Sequence, residues 1–182
     1  MRHSRLSLLF AVMLAMLAMT ASAQTTYVVA PGGGGDYTTI GAAVAAAQSG
    51  DTINVVAGSY SEGTITIDKA VDLIGANAGI PHDGARGGES IVLDTRLAME
   101  NGTTGILIDG FTFTGTAPGP GTIQATSAIA NGVTIQNNRF VDVASSFGAV
   151  YTDNAPQTDG WVITANLFQN IGFDGDWNNL TA

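Results

Sequence analysis

One stretch occurs three times in this chain and confines it to a narrow set of architectures. It reads Gly-Ile-Leu-Ile-Asp-Gly-Phe-Thr-Phe from Gly105 to Phe113, Gly-Val-Thr-Ile-Gln-Asn-Asn-Arg-Phe from Gly132 to Phe140, and Gly-Trp-Val-Ile-Thr-Ala-Asn-Leu-Phe from Gly160 to Phe168. Each copy has Gly first, an Ile three residues on (Ile108, Ile135, Ile163) and a Phe five beyond that (Phe113, Phe140, Phe168). Successive copies begin 27 and 28 residues apart. A repeat of that length is a unit that cannot bury its own apolar side, so copies must stack. The apolar runs are short, β-branched and aromatic, which points to strands rather than helices. The expected unit is a coil of short strands, stacked in parallel about 4.8 Å apart with Ile on Ile and Phe on Phe.

Between Ile and Phe lie Asp109-Gly110, Asn137-Asn138 and Ala165-Asn166. Gly and Asn accept left-handed backbone angles, so the chain is expected to turn a corner there. Asn138 and Asn166 hold the same repeat position, where amides can bond from coil to coil. Phe111 occupies that position in the first copy, which interrupts the ladder.

Residues 1–23 read as a signal peptide. Arg2 and Arg5 precede an apolar run from Leu6 to Met19, and Ala21-Ser22-Ala23 is a small-x-small cleavage site. The run is short for a membrane span, and no Cys follows it to carry a lipid. The expectation is a protein of bacterial type, secreted or held at the cell surface, with no membrane insertion after cleavage. The mature chain then has 182 − 23 = 159 residues, one domain's worth, or about five or six coils at this period. Its basic residues are Lys69, Arg86, Arg96 and Arg139 against 15 acids, a formal charge of 4 − 15 = −11. That balance argues against nucleic acid or an anionic membrane surface as partner. With no Cys there are no disulfides, so packing and hydrogen-bond ladders must hold the fold.

Residues 24–50 read as an amino-terminal strand and a capping helix. Tyr27 to Ala30 is the strand, a glycine-rich turn follows, and Ile40, Ala43, Val44 and Ala47 fall on one helical face behind Thr38 or Thr39 as cap. Such a helix would close the end of the stack, where the first coil's core would otherwise meet water. Residues 51–182 read as the coils, incomplete at the carboxy terminus. Strands are expected at Thr52–Val56, Thr64–Ile67, Val71–Gly75 and Ser90–Leu93. Residues 76–90 and 115–121 read as solvated surface loops, with excursions that build a binding face as the alternative.

Several segments occur in an order with its own significance: Gly35-Asp36-Tyr37-Thr38-Thr39-Ile40, Ala42-Ala43-Val44, Gly50-Asp51-Thr52-Ile53, Gly58-Ser59-Tyr60-Ser61-Glu62 and Val71-Asp72-Leu73-Ile74-Gly75-Ala76. This order resembles the amino-terminal cap and first coils of right-handed parallel β-helix proteins of the pectin-lyase-like superfamily. Ile108-Asp109-Gly110-Phe111-Thr112-Phe113 is similar to their coil repeats. The resemblance implies an all-β fold, a single-stranded right-handed parallel β-helix with a short amino-terminal capping helix. It leaves function open, because the superfamily includes lyases, hydrolases, esterases and non-catalytic surface proteins.

The superfamily's catalytic signatures are missing. Gly58 to Glu62 matches the Gly-x-Tyr-x-Glu element of pectin methylesterases, but their Gln-Asp-Thr, Asp-Phe-x-Phe-Gly and Gly-Arg-Pro-Trp contexts are absent. Glu62 therefore reads as a coil-edge or turn residue. The paired carboxyls of polygalacturonases have no counterpart, since the chain contains no Asp-Asp, and His82 is the one His after residue 23. Arg96 and Arg139 are bases of the pectate-lyase kind by residue type alone, and Asp94 with Arg96, or Asp142 with Arg139, equally read as surface ion pairs. The ligand-binding candidates are Arg139, Tyr151, Asp153 and Trp177, the aromatics as stacking platforms for sugar rings. Asp174 and Asp176 are candidate Ca²⁺ ligands. Trp161 reads equally as core and as platform.

Two functions stay open. One is a non-catalytic extracellular module that binds polysaccharide; the other is a polysaccharide-active lyase, hydrolase or esterase with divergent or missing catalytic coils. The missing motifs and the −11 charge favour the first. The uncapped carboxy-terminal end is expected to associate end to end or to continue into further coils.

Overall fold

In the computed structural model, residues 23–100, 102–126, 130–153 and 159–173 are described. Strand β1 (Thr26–Val29) is followed by the single helix of these residues, α1 (Ile40–Ala46). The chain then visits three sheets in rotation. The first circuit is β2 (Asp51–Val55), β3 (Gly58–Tyr60) and β4 (Thr64–Ile67); the second is β5 (Val71–Ile74), β6 (Ser90–Leu93) and β7 (Arg96–Met99). A short β8 (Thr103–Thr104) precedes the third circuit of β9 (Leu107–Asp109), β10 (Phe111–Thr116) and β11 (Ile123–Thr126). After β12 (Ala130–Asn131) come β13 (Thr134–Gln136), β14 (Arg139–Ser145) and β15 (Val150–Asp153), and last β16 (Val162–Thr164) and β17 (Leu167–Phe173).

The fold is therefore all-β with parallel sheets and one helix. Sheet A has the order β1-β2-β5-β9-β13-β16, sheet B β17-β14-β10-β6-β3 and sheet C β15-β11-β7-β4, while β8 pairs with β12. None of the sheets closes on itself. Parallel neighbours need a long crossover, and here the crossover of each sheet is made by strands of the other two. Strand β1, read from the sequence as part of a separate cap, is itself the first member of sheet A, in register with β2.

Stacking follows the repeat. Ile53, Leu73, Ile108, Ile135 and Ile163 are paired in turn along sheet A. Along sheet B, Phe113 pairs with Phe140 and Phe140 with Phe168, their rings stacked 4.8 and 4.9 Å apart, which is the strand spacing itself. Ile65, Leu97, Ile123 and Val150 make the matching column on sheet C. The core is the space between these columns. Along sheet A the intervals between paired residues are 20, 35, 27 and 28, so only the later circuits keep the period that the three copies display.

The corner after sheet A is left-handed at Gly110, Asn137 and Ala165, with φ of 81°, 54° and 54°. Beside it runs the amide ladder. Asn138 donates to the Ile108 carbonyl (2.9 Å) and to Asn166 Oδ1 (3.1 Å), and Asn166 donates to the Ile135 carbonyl (2.8 Å). The side-chain ladder ends at Asn138, since Phe111 carries no amide, and Asn138 Oδ1 accepts instead from the backbone N–H of Phe111 (2.9 Å). The leading glycines of the three copies stack on one another with φ of 73°, 63° and 70° at Gly105, Gly132 and Gly160. Left-handed backbone at that corner explains why the position is Gly each time.

Helix α1 packs on β1, β2 and β4 and buries Ile40, Ala43 and Val44. Thr39 caps it, accepting from Ala42 N–H (3.3 Å). The Glu62 carboxylate also accepts from Ile40 N–H (2.6 Å) and Gly41 N–H (2.7 Å), satisfying two donors that a helix start leaves open. The Tyr60 hydroxyl donates to the Val56 carbonyl (2.9 Å) and lies 3.2 Å from that of Val29. Gly58 to Glu62 thus ties the cap to the first circuit.

Candidate functional site

An aromatic pair stands on the flank of sheet C. Between β14 and β15 the chain makes a tight turn, and the Ser145 hydroxyl pins it by donating to the Gly148 carbonyl (2.7 Å) and accepting from Gly148 N–H (2.9 Å). Phe147 sits at the apex, 57% exposed, and stacks on Tyr151 with ring centroids 4.9 Å apart and planes at 17°. The turn also docks on the loop 115–121. Phe147 N–H donates to the Pro120 carbonyl (2.8 Å) and Ser146 N–H to that of Gly119 (3.4 Å). Gly121 allows Tyr151 to lie against the backbone, since a Cβ there would meet Tyr151 Cβ at 2.7 Å.

Polar groups lie beside the pair. Tyr151 is the register partner of Gln124, whose side-chain oxygen accepts from the Arg96 guanidinium (3.1 Å). Arg96 Nε and Thr122 Oγ1 are buried without a hydrogen-bond partner. An exposed ring held by a pinned turn loses little freedom when it takes a ligand, and stacked aromatics offer a flat apolar face. Chemically the arrangement can bind a ring and orient it with donors.

The predicted site residues are dispersed. Tyr151 is in sheet C, whereas Arg139 is on the outward row of sheet B, aligned with Ser59, Ile91, Thr112 and Leu167. Asp153 ends β15, paired with Thr126. Trp177, Asp174 and Asp176, and with them the expected Ca²⁺ ligands, lie outside the described residues. Among the described residues no three His, Asp or Glu side chains group as metal ligands. Trp161 is partly buried against the core and donates to the Ala130 carbonyl (2.6 Å). Phe147 escaped the sequence reading because it lies outside the repeat positions; its one signal was an aromatic in a Ser-Ser-Phe-Gly turn.

Neither expected ion pair forms. Asp94 accepts instead from Thr116 N–H (2.7 Å), and Asp142 from Asn170 Nδ2 (2.8 Å). Both acids take left-handed backbone, with φ of 48° and 53°, as do Gly115 and Asn170, and so form a second corner column. Carboxylates committed to corner hydrogen bonds do not turn toward the neighbouring arginines.

The loop 76–90 is solvated along much of its length, with eight of its fifteen residues exposed, while the others pack as a strap across the corners of later circuits. Asn77 is buried, and Gly79 N–H donates to Asp109 (3.1 Å), which also accepts from Asn137 (2.8 Å) and Gln136 (2.9 Å). Arg86, its side chain only 4% exposed, binds both oxygens of Glu89 (2.9 and 2.8 Å) and donates to the Asn137 carbonyl (2.6 Å). His82 Nδ1 lies 3.3 Å from the Ala165 carbonyl, one circuit further. The Arg86 hydrogen bonds hold the Glu89 carboxyl below the usual range against the opposing effect of burial, with Thr112 assisting.

No protein-family model, curated protein or solved structure matches this chain. Among the described residues no helix is long and apolar enough to cross a membrane.

Proposed function

We propose that this chain is a single-stranded right-handed parallel β-helix of the pectin-lyase-like kind, exported by its amino-terminal segment, and that it binds extracellular glycan without catalysing its cleavage. The rotation of strands through three parallel sheets supports the β-helix, and the strong preference of parallel crossovers for one hand supports a right-handed course. The observation that carries the function is the exposed Phe147 stacked on Tyr151 and held by a pinned turn. A sugar ring would lie on the outer face of Phe147, with the partly exposed Arg96 supplying donors to its hydroxyls.

Binding is tested with a glycan array followed by titration of the best neutral ligand, with and without Ca²⁺. Phe147→Ala is expected to weaken binding at least tenfold (~1.4 kcal/mol, within what one aromatic contact supplies) at unchanged melting temperature. Binding by the variant equal to wild type would reject the platform. No unsaturated or hydrolysed product is expected from polygalacturonate; product formation lost in Arg139→Ala would instead establish the enzymatic reading.

For the partner, end-to-end association is supported by the far end of the stack. Val162 and Ile163 of β16 are 48% and 47% exposed, and among the described residues no strand pairs with the outer edges of β16 and β17. Light scattering on residues 24–182 is expected to give a mass that rises with concentration. A concentration-independent monomer would contradict this.

A further inference from the structure

We infer that Arg139 is the receptor of a small oxyanion-binding site on the outward face of sheet B, distinct from the aromatic platform. The strap 76–90 sets the charge balance on this face. By carrying Arg86 over the corner it gives Glu89 a partner on both oxygens (2.9 and 2.8 Å), and Thr112 Oγ1 donates to the second of them (2.9 Å). Glu89 thereby accepts three hydrogen bonds before Arg139 is counted. The remaining contact from Arg139 to Glu89 is 3.9 Å, too long for a hydrogen bond, and Arg139 Nε is buried with no acceptor.

Two guanidiniums therefore share one carboxylate, a local excess of one positive charge in a chain whose formal total is −9. Among the described residues Arg139 makes no other ion pair and donates no hydrogen bond from its side chain, which is 37% exposed. The bland alternative is a solvated surface arginine. Against it stands the buried Nε: a donor removed from water without an acceptor costs free energy, which is recovered when the side chain turns its Nε–H edge outward to an anion. A guanidinium presents its donors as a planar fork, which fits a carboxylate or a sulfate with two parallel bonds. Half-buried Ile91 and Leu167 lie in the same outward row, the latter directly beside Arg139, and give the ligand's body an apolar wall.

The probes are inorganic sulfate and acetate, with chloride at matched ionic strength as control. Their titration is followed on the arginine Nε–H signals of isotope-labelled protein by NMR. Sulfate and acetate are expected to shift one Nε–H signal in a saturable manner, while chloride does not. Arg139→Gln should remove that signal and its response; Arg139→Lys should weaken sulfate binding at least fivefold, measured calorimetrically, because the fork is lost while the charge remains. Phe147→Ala should leave the anion response intact, which separates this inference from the glycan reading. Responses equal for all three salts, or sulfate binding undiminished in Arg139→Gln, would overturn it.

Discussion

Replacing Val44 with Asp is expected to lower the unfolding free energy of the domain by about 4 kcal/mol or more. Val44 is 1% exposed on the inner face of α1, where the helix covers the first strands of the stack. A carboxylate there would be buried among Ile40, Ala43 and the first-circuit core, and the nearby Lys69 ammonium is already committed to the Val44 carbonyl (3.3 Å) and to Asp68 (3.2 Å). The charge would expel the helix rather than be accommodated. Expulsion would also free Glu62, whose two hydrogen bonds to Ile40 and Gly41 exist only while the helix is docked. Denaturant unfolding followed by circular dichroism gives the measurement, and Val44→Thr serves as the milder control. Equal stability of Val44→Asp and wild type would show that α1 is an appendage and not the cover of the core.

The helix was legible because it is written in local chemistry: apolar residues at helical spacing behind Thr39, whose side chain accepts from Ala42 N–H. The later circuits were legible for a related reason. Identical neighbours stack in a parallel register, so the Ile and Phe columns are visible as a period. The strap was not legible. Arg86 meets Glu89 three residues on, but also Asn137 fifty-one residues away, and no spacing announces that second partner. Because the strap lengthens one circuit, it also hid the period in the first half of the chain. The corner column of Asp94, Asp142 and Asn170 was hidden by a different cause. Acids beside arginines read as ion pairs, whereas here the backbone geometry claimed them first. At the candidate site the sequence pointed to Tyr151 and missed Phe147, because a turn aromatic acquires meaning only when the turn is pinned.

The ring column gives the second large effect. Phe140→Ala is expected to cost about 3–5 kcal/mol, because it deletes a fully buried ring and leaves a cavity that flanking strands cannot close. Phe140 lies between two stacked partners, Phe113 at 4.8 Å and Phe168 at 4.9 Å, so both pairs are lost at once. Phe168→Ala deletes an outer member that is only half-buried and, of these two stacked pairs, belongs to one. Its cost should be smaller, about 1–2 kcal/mol. The two variants should also differ in where stability is lost. In a stack held by neighbour contacts, damage at the end frays the end, while damage inside uncouples everything beyond it. Hydrogen exchange is therefore expected to show Phe168→Ala releasing amides of β16 and β17 only. Phe140→Ala should release those of β13 to β17 together while β2 to β7 keep their protection. Uniform loss of protection along the chain in both variants would mean that the circuits unfold as one cooperative block, and that the ring column is not what couples each circuit to the next.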